Sequence, residues 1–185
     1  SDTLLAAIVN WGVEKTLNEC IGMFAIAVWD KEEGVLTLAR DRLGEKPLYY
    51  GWQGNTFMFA SELKALKAHP NFVGEIDRDS LTLFLRYNYV PAPYSIYKGI
   101  NKLTPGSFLQ FSINNKELIS VTPYWSLSKV TTNGQKKPLN CSDGKAVSLL
   151  ENCLGDAVED QLLADVPLGA FLSGGIDSSL IVSMM

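Results

Sequence analysis

Residues 173–179 read Ser-Gly-Gly-Ile-Asp-Ser-Ser, and this segment constrains the fold more than any other part of the chain. An apolar stretch, residues 168–172, comes directly before it, and an apolar helix start follows it. The pattern therefore predicts a strand, a tight loop and a helix. Glycines let a backbone approach an anion closely, and the first turn of a helix offers unpaired N–H groups with a positive dipole. The segment has the chemistry of a phosphate-binding loop.

One residue of this loop, Asp177, carries a negative charge that would repel phosphate. A carboxylate at this position is explained if it binds a Mg²⁺ ion that the phosphates also bind. The loop contains no lysine, so it is not the Gly-Lys-Ser/Thr type of phosphate loop. It resembles the Ser-Gly-Gly-x-Asp-Ser-Ser motif of the PP-loop ATP pyrophosphatases, which implies cleavage of ATP between its α and β phosphates. The plain structural alternative is a glycine-rich turn with serine caps.

Upstream of the loop, the hydrophobic pattern of much of the chain has the period of two that is typical of strands. Turn residues separate these stretches, which predicts two hairpins in a largely antiparallel sheet and a later hairpin around Asn114-Asn115. The first strand is expected to be buried on both faces. The strands are predicted over residues 23–29, 35–39, 48–52, 56–60, 108–113 and 118–121.

Helical spacing of apolar residues predicts helices before, between and after these hairpins. The first predicted helix is capped by Ser1, Asp2 or Thr3, and the second covers residues 13–20. A third runs from a cap at Ser61 to Leu66, and a fourth follows Asp77 and is ended by Pro91 and Pro93. A further helix follows a cap at Ser142 or Asp143. Residues 127–141 hold almost no apolar side chains and are interpreted as an interdomain linker or exposed loop.

Several stretches, in the order in which they occur, carry a family resemblance. Residues 22–30, 39–50 and 60–66, which include Gly-Met-Phe-Ala-Ile-Ala-Val-Trp-Asp and Ala-Arg-Asp-Arg-Leu-Gly-Glu-Lys-Pro, are similar to the second half of a class II glutamine amidotransferase domain. Pro105-Gly106-Ser107 continues this similarity. Asp-Val-Pro-Leu-Gly-Ala-Phe-Leu, residues 165–172, resembles the segment that leads into the synthetase domain of asparagine synthetases. Nearly the whole chain thus resembles the glutamine-hydrolysing asparagine synthetase family.

The resemblance implies a fold of the α+β and α/β classes. Residues 1–126 would form the C-terminal part of an Ntn-hydrolase αββα sandwich, and residues 127–141 would form the linker. Residues 142–185 would begin a doubly wound parallel α/β domain of the adenine nucleotide α-hydrolase type. The expected reaction uses glutamine, aspartate and ATP as small-molecule substrates, with ATP and Mg²⁺ as the cofactors. Ammonia released from glutamine would displace AMP from an adenylated aspartate β-carboxylate and give asparagine.

The resemblance also assigns residues. Asp41 matches the aspartate that holds the α-amino group of glutamine, and its structural alternative is an ion pair with Arg40 or Arg42. Asp177 is the expected Mg²⁺ ligand. The residues that match the ATP-binding loop are Leu172, Ser173, Gly174, Gly175, Asp177, Ser178 and Ser179.

The family nucleophile, an N-terminal cysteine on a strand, has no match in the chain. Ser1 begins a helix cap and Cys20 is internal, so no catalytic residue is assigned. The glutamine-holding arginine and the Asn-Gly-Glu segment of the family are also missing, and an isolated strand with half a helix cannot bury its apolar faces. The sequence therefore predicts a fragment that is cut at both ends and lacks glutaminase activity.

Composition excludes several classes of protein. Lys and Arg number 16 and Asp and Glu number 20, with no basic stripe, so nucleic-acid and membrane partners are not expected. Three separated cysteines argue against a disulfide framework or a zinc site, and they fit a cytoplasmic location. A homodimer stays open. Two functional alternatives also stay open: a related enzyme that acts on a sugar acid or a β-lactam precursor, and a catalytically inactive nucleotide-binding relative.

Overall fold

The computed structural model describes residues 2–114 and 117–185, and its contacts divide the chain into two units between Lys129 and Val130. None of the described helices combines the length and the apolar character that are needed to cross a bilayer. The helices of the first unit are α1 (Asp2–Trp11), α2 (Val13–Glu19), α3 (Leu63–Lys67) and α4 (Arg78–Tyr87). Its strands are β1 (Ala25–Asp30), β2 (Val35–Arg40), β3 (Tyr49–Gln53), β4 (Thr56–Ala60), β5 (Ile100–Lys102), β6 (Ser107–Ser112) and β7 (Glu117–Pro123).

The strands of the first unit form two antiparallel sheets, with the orders β1-β2-β6-β7 and β4-β3-β5. Both predicted hairpins are present, as is the later one, β6–β7. The prediction that the first hairpins share one sheet was wrong, because β2 pairs with β6 whereas β3 pairs with β5. Asn115 of the predicted Asn114-Asn115 turn and Ser1 of the predicted first cap lie outside the described residues.

The main core lies between the two sheets. Leu38 of β2 and Leu109 of β6 have no exposed surface and pack with Tyr50 of β3. Across this interface the rings of Phe57 and Phe111 stack with centroids 4.4 Å apart and planes within 3°. Burial of such side chains contributes roughly 1.5–3 kcal/mol each relative to an exposed position. The two sheets are therefore held face to face by aliphatic and aromatic packing.

Helices cover the outer faces of both sheets. Leu17 of α2 is buried against Ala39 and Phe108, which point away from the core between the sheets because side chains alternate along a strand. On the other sheet, Leu66 of α3 packs with Met58. The resulting layers, helix, sheet, sheet and helix, are consistent with the αββα sandwich that the resemblance implies.

Several boundaries differ from the prediction for local reasons. No residue of β1 is buried, because this strand lies at the edge of its sheet. The N-cap of α3 is Glu62 rather than Ser61. Helix α4 begins after an Asp77 cap, as predicted, but it ends at Tyr87, because the left-handed backbone of the C-cap residue Asn88 (φ 61°) terminates it before Pro91.

In the second unit, the amphipathic helix predicted after Ser142 is α6 (Asp143–Gln161), and the predicted helix after the loop is α7 (Ile176–Met184). The strand predicted over residues 168–172 was wrong, since this stretch has no regular structure. A parallel strand needs a neighbour to pair its backbone, and the described residues of this unit supply none. The described structure therefore does not confirm the predicted beginning of a doubly wound sheet.

Residues 127–136 also differ from their interpretation as linker or exposed loop, because they form α5 (Leu127–Lys136). Every residue of this helix is exposed. The low apolar content that predicted a loop is equally compatible with a solvent-exposed helix, since such a helix has no face to bury.

Candidate functional site

Asp41 follows β2 directly and is one of the most buried residues of the chain, with 1% of its surface exposed. Its carboxylate accepts three backbone hydrogen bonds. Oδ2 accepts from the N–H groups of Phe24 (3.3 Å) and Lys46 (2.9 Å), and Oδ1 accepts from that of Glu45 (2.9 Å). A carboxylate has about four acceptor positions, so one position, on Oδ1, has no partner among the described residues.

The ion pair considered for Asp41 is absent from the described structure. Arg40 directs its guanidinium to main-chain carbonyls, and Arg42 donates to the Asn18 carbonyl at 2.6 Å. Asp41 therefore stabilises the turn after β2 through backbone amides. Hydrogen bonds of this kind to an ionised group are stronger than those between neutral groups.

We expect Asp41→Asn to lower the free energy of unfolding of the chain by about 2 kcal/mol. The amide keeps the size of the carboxylate but replaces one acceptor oxygen by an NH₂ group, which then faces a backbone N–H. Urea denaturation followed by circular dichroism measures the change.

A matched control for this substitution is Asp30→Asn. Asp30 also accepts two backbone hydrogen bonds, from Glu32 and Glu33 at 3.0 Å, but it is exposed to solvent. Water can replace those contacts, so we expect a change below about 1 kcal/mol. Equal effects at the two positions would contradict the role assigned to the buried carboxylate.

Tyr124, which directly follows β7, also contacts the main chain next to Asp41. Its hydroxyl is buried and donates to the Arg40 carbonyl at 2.8 Å. Burial, and then the negative charge of Asp41, raise the pKa of Tyr124 to about 12. The phenol therefore stays protonated and keeps its hydrogen bond well above the pH at which an exposed tyrosine ionises, near 10.

This pKa predicts an alkaline loss of stability. Because the folded-state pKa lies above the unfolded value, the contribution of Tyr124 is fully present below pH 10 and is lost as the pH rises towards about 12. Compared with Tyr124→Phe, the wild-type chain should lose about 2 kcal/mol more over this range. Urea titrations of both proteins at pH 9 and pH 12 measure it, and a difference that does not change with pH would contradict the assignment.

The predicted phosphate loop lies at the N-terminus of α7. Gly174 has a left-handed backbone with φ 78°, and Gly175 is the N-cap residue. The first helical hydrogen bond runs from Ser179 N to Gly175 O, so the N–H groups of residues 176–178 point out of the helix end. This arrangement exposes main-chain donors, as an anion site requires.

The side chains of this loop lie at the surface. The hydroxyls of Ser173 and Ser178 are 3.0 Å apart, and Ser178 also donates to the Gly175 carbonyl at 3.1 Å. Asp177 and Leu172 are exposed, the latter to 61%. The structure thus brings the loop residues together around one helix end, while their contact with a nucleotide stays a prediction.

Of the two residues that the sequence analysis rejected as nucleophiles, Cys20 lies within the described structure. Ser1 lies outside the described residues. Cys20 is the C-cap residue of α2, and burial raises the pKa of its thiol, which disfavours the reactive thiolate. Reasoning from sequence missed Arg40 and Tyr124 as supports of the Asp41 turn, because their partners are main-chain carbonyls that leave no mark in a sequence.

Comparison with known proteins finds the two domains in the order that the sequence analysis predicted, the amidotransferase domain before the synthetase domain. A family model described as glutamine amidotransferase domain matches residues 1–125, and one described as asparagine synthase matches residues 149–185. Glutamine-hydrolyzing asparagine synthetases 3 and 1 of Bacillus subtilis are 36% and 37% identical to the chain over 185 residues, which is 100% of the chain and 28% of each relative. A Methanocaldococcus jannaschii protein, provisionally named glutamine-hydrolyzing asparagine synthetase 2, is 40% identical over 171 residues, 91% of the chain and 32% of the relative. The chain thus spans about a third or less of the length of these curated relatives.

Proposed function

Because the chain belongs to the glutamine-hydrolysing asparagine synthetase family, we propose that the protein that carries it makes asparagine from aspartate, glutamine and ATP. The β-carboxylate of aspartate attacks the α-phosphorus of ATP, and pyrophosphate leaves. Ammonia from glutamine then attacks the acyl carbon, and AMP leaves as the amide forms. Activation is needed because a free carboxylate does not react usefully with ammonia, whereas a mixed anhydride does.

The observation that carries the proposal is the helix end at Gly174 and Gly175. Its open main-chain N–H groups and the surrounding serine hydroxyls suit the β and γ phosphates of ATP. The same stretch lies inside the region that matches the asparagine synthase family model. Leu172 is largely exposed directly before the loop and is proposed to contact the nucleotide.

Magnesium fits this loop only together with the nucleotide. The described residues contain no group of three or more His, Cys, Asp or Glu side chains that could hold a metal ion. Mg²⁺ in nucleotide sites is usually bound by one or two carboxylates, phosphate oxygens and water. Asp177 offers one exposed carboxylate in the first turn of α7, next to the loop. A bound Mg²⁺ would neutralise charge on the leaving pyrophosphate.

Asp41 is proposed to bind glutamine in the first unit. Its carboxylate keeps one acceptor position on Oδ1 and has no ion-pair partner among the described residues. The α-ammonium group of glutamine is the complementary ligand, since a charge-assisted hydrogen bond joins the two.

Transfer of labelled nitrogen tests the proposed function. The intact protein is incubated with glutamine labelled with ¹⁵N at the side-chain amide, aspartate and Mg-ATP. We expect ¹⁵N in the side chain of asparagine and one AMP for each asparagine formed. Formation of ADP, or AMP without labelled asparagine, would contradict the proposal, and a labelled amide on another carboxylate would identify a different acceptor.

A further inference from the structure

The side chains of Arg40 and Asp41 both form hydrogen bonds with the main chain of the turn after β2, at residues 44–46. The Arg40 guanidinium donates from Nη2 to the Gly44 carbonyl at 2.5 Å and from Nε to the Lys46 carbonyl at 2.7 Å. The Asp41 carboxylate accepts from the N–H groups of Glu45 and Lys46, both at 2.9 Å. Both side chains are more than nine-tenths buried.

One peptide unit lies directly between the two charges. The Gly44 carbonyl and the Glu45 N–H belong to the same planar trans peptide, in which they point in opposite directions. The oxygen contacts the guanidinium and the hydrogen points to the carboxylate. This peptide cannot rotate without breaking a charge-assisted hydrogen bond at each end.

The third contact of Arg40 ties this turn to the rest of the unit. Nη1 donates to the carbonyl of Leu103 at 2.7 Å, and Leu103 has no exposed surface. The guanidinium thus contacts three carbonyls and does not pair with Asp41. The ion pairs found among the described residues are Lys64–Glu62 and Lys98–Glu75. Asp41 therefore has no ion-pair partner among the described residues.

We propose that Arg40 is a positioning residue for the glutamine site, which fixes the Gly44–Glu45 peptide so that Asp41 presents its remaining acceptor position to the α-ammonium group of glutamine. The inference rests on the proposed function, and Arg40 itself does not touch the substrate. Lysine cannot replace it, because a point charge on a flexible stem lacks the planar fork that reaches three carbonyls.

The test compares two nitrogen sources in the intact protein. Initial rates of asparagine formation are measured for the wild type, Arg40→Lys and the exposed control Arg86→Lys, first with glutamine and then with ammonium chloride. We expect Arg40→Lys to raise the KM for glutamine about tenfold or more, since a small misplacement of a binding group has large effects. Its rate with ammonia should stay within about twofold, because ammonia bypasses the glutamine site.

The outcomes separate this inference from the proposed function. An unchanged KM for glutamine in Arg40→Lys, with wild-type activity present, would overturn the positioning role alone. A wild-type protein that makes no asparagine from either nitrogen source would overturn the proposed function and this inference with it. Arg86→Lys should match the wild type in both assays.

A milder variant decides the matter if Arg40→Lys loses both activities through misfolding. Tyr124→Phe removes only the hydroxyl that bonds the Arg40 carbonyl at 2.8 Å and keeps the shape of the buried ring. We expect the KM for glutamine to rise about threefold while the rate with ammonia is retained. A KM equal to that of the wild type would contradict the positioning role.

Discussion

Replacement of Gly51 by alanine is expected to cost at least about 4 kcal/mol and to leave the first unit largely unfolded at 25 °C. A Cβ atom at Gly51 would lie 1.9 Å from the Gly99 carbonyl oxygen, far inside van der Waals contact. The backbone there has φ 153°, which only glycine adopts easily. The Gly99 carbonyl also accepts from Trp52 N at 2.8 Å, so moving it away breaks the contact between β3 and the segment before β5.

A neighbouring glycine separates the steric clash from backbone strain. Gly54 also has a positive φ, 58°, but nothing lies within 4 Å of its added Cβ. Gly54→Ala should therefore cost only the strain of the left-handed conformation, about 1–2 kcal/mol. Thermal and urea unfolding measure both variants. Similar losses for the two would show that the close approach of strands at Gly51 is not what makes that position sensitive.

The second large effect is expected at the proposed phosphate loop, where Gly174→Val should lower ATP-dependent adenylation by about 100-fold in the intact protein. Gly174 has φ 78°, a conformation that a β-branched residue avoids. Valine would force the loop into another backbone conformation and turn its main-chain donors away from the phosphates. The rate of AMP formation with aspartate and Mg-ATP measures the change.

The same substitution at Gly155 is the control for this variant. Gly155 lies within α6, and nothing lies within 4 Å of an added Cβ there. We expect the rate of AMP formation to stay within about twofold of the wild type. A full rate in Gly174→Val would contradict the loop's proposed role, and a loss in Gly155→Val would mean that the second unit is sensitive to any added bulk.

The hairpins of the first unit were predictable, because a period of two and glycine- or asparagine-containing turns are local signals. The partners of the hairpins were not. Leu38 of β2 pairs with Leu109 of β6 across some seventy intervening residues, and no local pattern encodes such a distant pairing. The division into two facing sheets therefore follows from no local pattern, and only the family resemblance implied it.

In the apolar stretch before the proposed phosphate loop, a local pattern predicted a strand that the structure does not contain. Residues 168–172 have the composition of a buried strand, yet they have no regular structure here. A short apolar run is ambiguous by itself, and a strand forms only where a neighbour accepts its backbone hydrogen bonds. Leu172 and Phe171 are correspondingly exposed.

Asp41 was predictable as a candidate residue but its surroundings were not. The Arg-Asp-Arg sequence predicted an ion pair as the alternative to ligand binding. Arg40 instead bonds main-chain carbonyls, and Asp41 bonds main-chain amides. Main-chain groups are present at every position of every sequence, so their participation cannot be inferred from residue types.

Exchange of labelled pyrophosphate into ATP tests the central claim most directly, that the loop beginning at Ser173 binds the β and γ phosphates while a carboxylate takes up AMP. The reaction reverses adenylation and needs neither glutamine nor ammonia. The intact protein should catalyse exchange that depends on aspartate and Mg²⁺. Absence of exchange with aspartate and with every other carboxylate offered, in a folded protein, would contradict the account.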